Sequence, residues 1–327
     1  MAAIGLFLGT AVSLAVLGLV FQFMTQFYDH WTMSPKGIVY TINGTGLHLD
    51  CRGMGTPTIV LEGGALAFSS FWALVQNDLA ETSRVCSYDR LGMGWSADHG
   101  ERHDGIAAMD RLYLLLRAAK ENGPFVLVGH SIGAPLAMIF AGRHPDDVVG
   151  LVLLDPVHPE ILDRLPEARA LKSIYTVYLR YARIYAVFGL LRATNTIGTL
   201  GAELPLYARR EQESFLSNFQ HLRAAEAELD AWDATMDAAR QASNAIRSLP
   251  VMVISAENFL GQDDPILLQS WHALQEDMAK GSYQERYRIL NSTYHLSLIL
   301  DKEPARELSR AIKRFVAYTK ASPTPVQ

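Results

Sequence analysis

The chain has 327 residues, of which 49% are hydrophobic and 19% are charged, a balance that excludes a disordered protein and is typical of a globular one. The formal net charge of -5 gives no basic excess, so we expect no nucleic acid partner. The two cysteines, Cys51 and Cys86, are too few for a disulfide framework, and their positions inside apolar runs favour buried free thiols.

The first segment of the chain carries the strongest targeting signal. No charged side chain occurs from Ala2 to Met24, and a helix of this length can cross a bilayer. Phe27 and Trp31 lie where an interfacial aromatic belt is expected. A cleaved secretory signal is the alternative, but a basic n-region and a clear cleavage site are missing. We therefore predict a single-pass membrane anchor, and we leave open which side of the membrane the remaining chain occupies.

Strands and helices alternate after this segment. Strands are predicted at 46–50, 58–62, 84–88, 125–128 and 149–154, and helices at 70–81, 104–122 and 132–143. Such alternation predicts a parallel sheet with helices on both faces.

The pattern changes between Pro156 and Pro250, where helices are predicted one after another at 174–191, 206–229 and 231–248. Strands at 251–255 and 287–290 and helices at 265–280 and 304–320 then complete the sheet. We therefore predict an anchor and juxtamembrane segment (1–36), the first part of an α/β core (37–156), a helical cap insertion (157–249), the second part of the core (250–320) and a disordered tail (321–327).

The decisive motif is Gly-His-Ser-Ile-Gly at 129–133, which joins an apolar strand to a helix. This context predicts a nucleophile elbow, in which Ser131 is held exposed on a strained turn. The N–H of Ile132, at the amino end of the helix, is a predicted oxyanion donor. His130 is expected to be structural and to face away from Ser131.

Four segments, in their order and spacing, resemble a bacterial branch of the α/β-hydrolase superfamily. They are Leu-Glu-Gly-Gly-Ala at 61–65, Arg-Val-Cys-Ser-Tyr-Asp-Arg-Leu-Gly-Met-Gly-Trp-Ser at 84–96, Val-Gly-His-Ser-Ile-Gly at 128–133, and Leu-Leu-Asp-Pro-Val-His at 153–158. The resemblance implies an α/β-hydrolase fold with a mostly parallel central sheet. Because paired glycines let a backbone N–H face the substrate, the Ala65 N–H is the predicted second oxyanion donor. Asp89 and Arg90 are expected to brace the loop beneath the site.

The family order of serine, acid and histidine implies a general base late in the chain. His295 follows the last predicted strand, whereas His272 lies within a predicted helix. The acid stays open between Asp155, which ends an earlier strand, and Asp263 or Asp264, which follow the next one. We choose Asp155, because the Asp-Pro pair after the earlier strand is the steadier feature of similar sequences.

Together these residues predict acyl transfer to water with no metal and no organic cofactor. The first predicted cap helix is rich in tyrosine and aliphatic side chains, which with the anchor favours an acyl chain in the substrate. We predict a membrane-anchored serine hydrolase of small-molecule or lipid carboxylic esters, similar to an esterase, lipase or lysophospholipase. The alternatives are a peptidase or thioesterase of the same fold, or a non-catalytic binding or scaffold protein tethered to the membrane. By resemblance, an epoxide hydrolase or dehalogenase would carry a carboxylate at position 131. The oligomeric state is left open.

Overall fold

The structure is a computed structural model that describes residues 2–198, 200–258, 264–279, 283 and 286–321. Asp263, the alternative acid, and the predicted tail beyond Ala321 lie outside these residues.

Eight strands form one sheet in the order β1-β2-β4-β3-β5-β6-β7-β8. Antiparallel pairing joins β1 to β2 and β2 to β4, and all other neighbours pair in parallel. The predicted mostly parallel sheet is therefore confirmed. The strands are β1 Ile38–Ile42, β2 Thr45–Arg52, β3 Thr58–Glu62, β4 Val85–Tyr88, β5 Phe125–His130, β6 Val148–Leu154, β7 Val251–Asn258 and β8 Tyr287–Tyr294.

Helices cover both faces of the sheet. The helices of the described residues are α1 Ala2–Thr32, α2 Ala73–Ala80, α3 Gly105–Ala118, α4 Gly133–Arg143, α5 Ile161–Arg164, α6 Pro166–Val187, α7 Leu190–Ala193, α8 Leu206–Phe215, α9 Phe219–Asp230, α10 Trp232–Ala245, α11 Pro265–Met278, α12 Ser297–Leu300 and α13 Lys302–Ala321. One core lies between the sheet and α3, α4 and α10, and the other between the sheet and α2, α12 and α13. Strand β5 contributes to both, since Leu127 packs in the first core while Val126 and Val128 pack in the second.

Two features differ from the sequence prediction. Strand β1 was not predicted, because it is a mostly exposed edge strand without a buried apolar run. It forms a hairpin with β2 through Asn43 and Gly44, both with positive φ, a pair typical of a tight hairpin turn. The helix predicted at 206–229 is two helices, and Asn218 begins the second by accepting a hydrogen bond from the Gln220 N–H at 2.8 Å.

The expectation of free cysteines is wrong. Cys51 of β2 and Cys86 of β4 are bonded to each other through their sulfur atoms. The two residues lie directly opposite in the antiparallel register of these strands. The sequence prediction placed each cysteine in its own strand but gave no pairing register, so their contact could not be seen.

Helix α1 extends past the predicted apolar run to Thr32. Among the described residues it is the one helix that is long and apolar enough to cross a membrane, from Leu6 to Thr32. We call α5 to α10 the cap helices, because they follow one another between β6 and β7.

Candidate active site

Ser131 lies on the sharp turn between β5 and α4 with a φ of 57°, a left-handed conformation that a residue with a side chain rarely adopts. Gly133 is required at this turn, because a Cβ there would lie 2.5 Å from the carbonyl oxygen of Glu62. The Ser131 N–H donates to the carbonyl of Leu154 on β6 at 2.9 Å. The backbone of the turn is therefore fixed from both neighbouring strands.

Asp155 and His295 are hydrogen bonded, although 140 residues separate them, with 2.6 Å between Oδ2 of Asp155 and Nδ1 of His295. Asp155 ends β6 and is fully buried, and His295 follows β8. Oδ1 of Asp155 accepts hydrogen bonds from Gln275 at 2.7 Å and from the Trp271 indole at 3.2 Å. Burial alone would raise the pKa of Asp155, but the bonds to His295 and these two donors hold it below its usual range. Asp155 is therefore an ionised carboxylate in a dry site.

Asp264 and His272, another late acid and the other late histidine that the structure describes, do not lie in this arrangement. Asp264 caps α11 by accepting from the Ile266 N–H at 2.9 Å. His272 lies within α11 and bonds the carbonyl of Ala256 at 2.8 Å. Asp263 lies outside the described residues.

His130 does not face away from the site as the sequence analysis expected. Its ring lies 4.4 Å from the His295 ring, centroid to centroid, and its Nε2 is 3.0 Å from the His295 carbonyl oxygen. Burial, together with the neighbouring His295, lowers the pKa of His130 to about 3. The ring is therefore neutral at ordinary pH, with Nε2–H donating to that carbonyl. The His130 ring thus fixes the segment that carries His295 and does not compete with His295 for a proton.

The loop after β3 passes next to Ser131. A Cβ at Gly64 would lie 3.1 Å from the Cβ of Ser131, so the loop and the turn are in close contact here. Ala65 follows on the loop and lines the same cavity as Ser131 and Ile132. In the part of the chain that the structure describes, the Ala65 and Ile132 N–H groups donate no hydrogen bond to protein atoms. Both N–H groups thus remain available to a substrate oxygen.

Arg90 clamps this loop from beneath. Its guanidinium donates to the carbonyl oxygens of Gly63 at 2.8 Å and Gly64 at 2.7 Å. Glu62 and Glu228 hold the same guanidinium, each at 2.6 Å. Because Glu228 belongs to α9, the clamp also ties a cap helix to the oxyanion loop. Such a buried, fully paired arginine is a positioning group.

Asp89 fixes the loops next to the clamp. Its carboxylate accepts from the backbone N–H groups of Ser69 at 2.7 Å and Trp95 at 2.8 Å, and pairs with His48 at 3.0 Å. Burial would raise the pKa of Asp89, but His48 and these donors lower it. The carboxylate therefore organises backbone and faces away from the cavity.

A cavity of about 510 Å³ opens above Ser131 between the sheet edge and the cap helices. The core contributes Ser131, Ile132 and His295, and the cap contributes a largely apolar wall. That wall is lined by Ile161, Leu162, Ala168, Leu171, Ile174, Tyr175, Tyr178, Leu216, Ala225, Leu229 and Trp232. The site therefore joins a polar floor to an apolar chamber whose size is typical of small-ligand sites.

Sequence reasoning missed several residues that support the site. Trp271 and Gln275 stand four residues apart on α11, a spacing that places them on one helix face. That spacing was visible, but nothing in the sequence indicates that this face meets Asp155. Glu228 was missed for the same reason, because its partner Arg90 is 138 residues away.

One group of described side chains has metal-ligand spacing, namely Cys51, Cys86 and Glu121. The two sulfurs are bonded to each other and are therefore not thiolates, and Glu121 pairs with Arg84. This group lies at the disulfide and holds no residue of the cavity above Ser131.

Comparison with known proteins adds three findings. A family model described as alpha/beta hydrolase fold matches residues 57–302. An uncharacterized protein of Bacillus subtilis is 34% identical over 118 residues, which cover 36% of this chain and 47% of that protein. An uncharacterized protein of Schizosaccharomyces pombe is 33% identical over 153 residues, covering 38% of this chain and 29% of that protein. The chain thus spans less than half the length of these curated relatives.

Solved structures match over most of the chain at low sequence identity. A thermophilic esterase from Thermogutta terrifontis has a TM-score of 0.60 and 20% identity, covering 88% of this chain and 99% of that one. The epoxide hydrolase CorEH has a TM-score of 0.65 and 20% identity, covering 86% and 98%. At this identity the likeness is one of fold.

Proposed function

The chain belongs to the α/β-hydrolase family, with the fold of that family, and we propose that it is a membrane-anchored serine hydrolase that cleaves carboxylic esters with an acyl chain. The observation that carries this proposal is that Ser131 and His295 line one largely apolar cavity and that His295 is hydrogen bonded to the buried Asp155. We assign Ser131 as nucleophile, His295 as general base and Asp155 as the acid that orients it.

The reaction follows from these positions. Asp155 accepts from Nδ1–H of His295, which leaves Nε2 unprotonated and able to take the hydroxyl proton as Ser131 Oγ attacks the ester carbonyl. The N–H groups of Ala65 and Ile132 bind the oxyanion of the tetrahedral intermediate. His295 then gives its proton to the leaving alcohol, and water releases the acyl group by the reverse sequence.

The nucleophile favours an ester over an epoxide. Attack by the Ser131 hydroxyl on an ester carbonyl gives an acyl-enzyme that water can hydrolyse. Attack on an epoxide carbon would instead leave a stable ether on the serine and end turnover. The matched epoxide hydrolase therefore supports the fold of this chain and not its substrate.

The cavity supports an acyl chain as part of the substrate. Its cap wall is built from aliphatic and aromatic side chains, and its charged lining residues are Lys172 and Glu228. Glu228 is already paired with Arg90, and Lys172 with Asp233 at 3.4 Å. Burying methylene groups here stabilises the complex by about 0.8 kcal/mol per group.

The contacts of α1 support an anchor that is retained rather than a cleaved signal. Asp29 binds Arg192 at 2.6 Å and the Ser214 hydroxyl at 2.7 Å, and the Gln22 amide donates to the Ser217 carbonyl at 2.9 Å. Removal of α1 would take a hydrogen-bond partner away from each of these groups of the cap. We therefore propose that α1 stays part of the mature protein.

Active-site labelling tests the proposal. We expect a fluorophosphonate probe to label the full-length protein, and Ser131→Ala to abolish both labelling and hydrolysis of p-nitrophenyl esters, by about a millionfold in kcat. The exposed Ser248→Ala is the matched control and should retain both. We expect kcat/KM to rise from acetate to decanoate. Unchanged turnover in Ser131→Ala would overturn the serine mechanism, and indifference to chain length would overturn the acyl-chain assignment.

A further inference from the structure

Helix α1 docks on the cap through a narrow face of small and polar residues. Ala15, Gly18, Gln22, Gln26 and Asp29 recur at helical spacing, and they are the buried or half-buried positions of this helix together with Thr25. A Cβ at Gly18 would lie 2.5 Å from the carbonyl oxygen that follows α6, so the two backbones are in close contact there. The polar side chains of Gln22 and Asp29 therefore point at protein.

The other faces of α1 carry large apolar side chains, including along the docked part. The exposed ones from residue 16 onward are Val16, Leu17, Leu19, Val20, Phe21, Phe23, Met24, Phe27, Tyr28 and Trp31. A helix that turns Gln22 and Asp29 toward the cap and exposes this many large apolar side chains fits lipid and does not fit water.

The docked part of α1 reaches into the segment that could span a bilayer. From Leu6, where that segment begins, to Met24, where the uncharged run ends, the helix rises about 28 Å at about 1.5 Å per residue. The hydrocarbon core of a bilayer is about 30 Å thick. A spanning α1 therefore places Gly18 and Phe21 within the hydrocarbon, and it carries the cap residues that touch them to the same depth.

Helix α6 carries an exposed apolar surface next to the exposed apolar faces of α1. Six apolar side chains form a stripe along one side of it, and each is 45% exposed or more. The stripe consists of Ile174, Val177, Tyr178, Tyr181, Ile184 and Tyr185. Phe188 continues its spacing and packs against Gly18 of α1. Arg180 and Arg183 flank the stripe and both pair with Glu226, an arrangement typical of helices that lie in a membrane interface.

The same helix forms one side of the active-site cavity. Ile174 and Tyr178 belong to the exposed stripe and also line the cavity above Ser131. The stripe and the cavity thus meet at these two residues.

From these contacts we propose that α1 and the stripe on α6 form one continuous surface embedded in the lipid leaflet, and that the cavity above Ser131 opens onto this surface between Ile174 and Tyr178. The proposal rests on the proposed anchor and acyl-ester activity and goes beyond them. Its occupant is the bilayer itself, because the stripe continues the apolar faces of the helix that spans it. A lipid ester then reaches Ser131 sideways from the leaflet without crossing water.

The first experiment measures depth without using turnover. Tyr181→Cys is labelled with an environment-sensitive fluorophore, since Cys51 and Cys86 are already bonded, and the full-length protein is placed in phosphatidylcholine vesicles. Lipids brominated near the glycerol end of the chain should quench this label strongly. The control Ala118→Cys lies at the end of α3, at the edge of the sheet away from the cap, and should not be quenched. Equal quenching at the two sites would overturn the proposal.

The second experiment compares two esters. Ile184→Asp places a charge in the stripe outside the cavity lining, and the equally apolar, exposed Ile266→Asp on α11 is its match. Ile184→Asp should lower hydrolysis of a fluorogenic long-chain acylglycerol in vesicles at least about tenfold and leave p-nitrophenyl acetate hydrolysis in solution unchanged. The Ile266→Asp variant should change neither.

Equal loss of vesicle activity in both aspartate variants would contradict the embedded stripe. If Ile184→Asp also lost activity toward the soluble ester, the quenching result alone would decide. A wild-type protein that hydrolyses neither ester would refute the proposed function, while quenching would still test the surface.

Discussion

The sheet edge that carries Ser131, Asp155 and His295 and the cap helices above it are held in place by different forces. At the edge, polar contacts fix each group: Asp155 has partners on both oxygens, and Arg90 binds two loop carbonyls. The cap side of the cavity is mostly apolar, and one side of α6 is left exposed. The difference indicates that the proposed reaction requires fixed atomic positions at the sheet edge. The cap wall, which would select the substrate, can change its side chains without disturbing those positions. Mutations in the two regions should therefore affect different kinetic quantities.

Among the variants that compare the two regions, Asp155→Asn at the sheet edge should cause the largest loss of kcat. The side-chain oxygen of the asparagine must stay with the donors of Trp271 and Gln275, so its NH₂ group faces Nδ1 of His295. That contact selects the wrong tautomer, with the proton on Nε2, and kcat should fall about ten thousandfold for short and long esters alike. Steady-state kinetics with p-nitrophenyl acetate and decanoate measure this.

The matched variant is Asp264→Asn, since asparagine also caps helices well. It should keep kcat within about twofold. Were it the more damaging of the two substitutions, the assignment of Asp155 as the acid would be refuted.

A smaller effect, on the free energy of unfolding, is expected at His221 of α9, where the cap meets the core. Its Nδ1 accepts from the Gly94 N–H at 3.1 Å, and its Nε2 lies 3.0 Å from the Leu66 carbonyl oxygen, so the folded protein requires the neutral ring. Burial lowers the pKa of His221 from 6.5 to about 4. Because the folded pKa lies below the unfolded one, the unfolded state binds more protons, and this stability is present above pH 6.5 and lost as the pH falls toward 4.

Denaturant titrations of wild type and His221→Gln across this range measure that loss. The wild type should lose about 2 kcal/mol more than the variant by about pH 5, since one pKa unit corresponds to about 1.4 kcal/mol. Parallel curves for the two proteins would show that His221 does not titrate on unfolding.

The smallest effect is expected from a substitution in the cap wall, which should change the preference for chain length and leave the reaction at Ser131 intact. Leu171→Trp adds bulk to the cavity, so it should lower kcat/KM for decanoate about tenfold relative to acetate. Leu114→Trp on α3 makes the same change at an exposed site outside the cavity and should not alter this ratio. If the acetate rate fell as far as the decanoate rate, the separation of chemistry from substrate choice would not hold.

The sheet edge and the cap also differ in how well they can be predicted from the sequence. Ser131 and the sheet could be predicted because a strand, a turn and a helix next to one another in the chain carry their own pattern. His295 could be placed by family order together with its position after the last predicted strand, and Asp155 was a choice among three carboxylates. The partners of these residues could not be predicted, because Gln275 and Glu228 act across more than a hundred residues and their spacing looks like that of any amphipathic helix.

The cap shows a further limit of sequence reasoning. The sequence showed that the helix predicted at 174–191, which belongs mostly to α6, is rich in aromatic residues. Periodicity does not reveal whether such an apolar stripe packs against protein or remains exposed. The docking of α1 by Gln22 and Asp29 was also invisible, because a polar side chain within an apolar run gives no sign of its partner. The cysteines illustrate the same gap, since their pairing depends on strand register.

The bond between Cys51 and Cys86 has a consequence for topology. Such cross-links persist in oxidising compartments and are rare in the cytosol. Both sulfurs belong to the part of the chain that follows α1. If α1 crosses the membrane, its amino end therefore faces the cytoplasm and the hydrolase lies on the far side, so it would meet lipids of the outward leaflet after export.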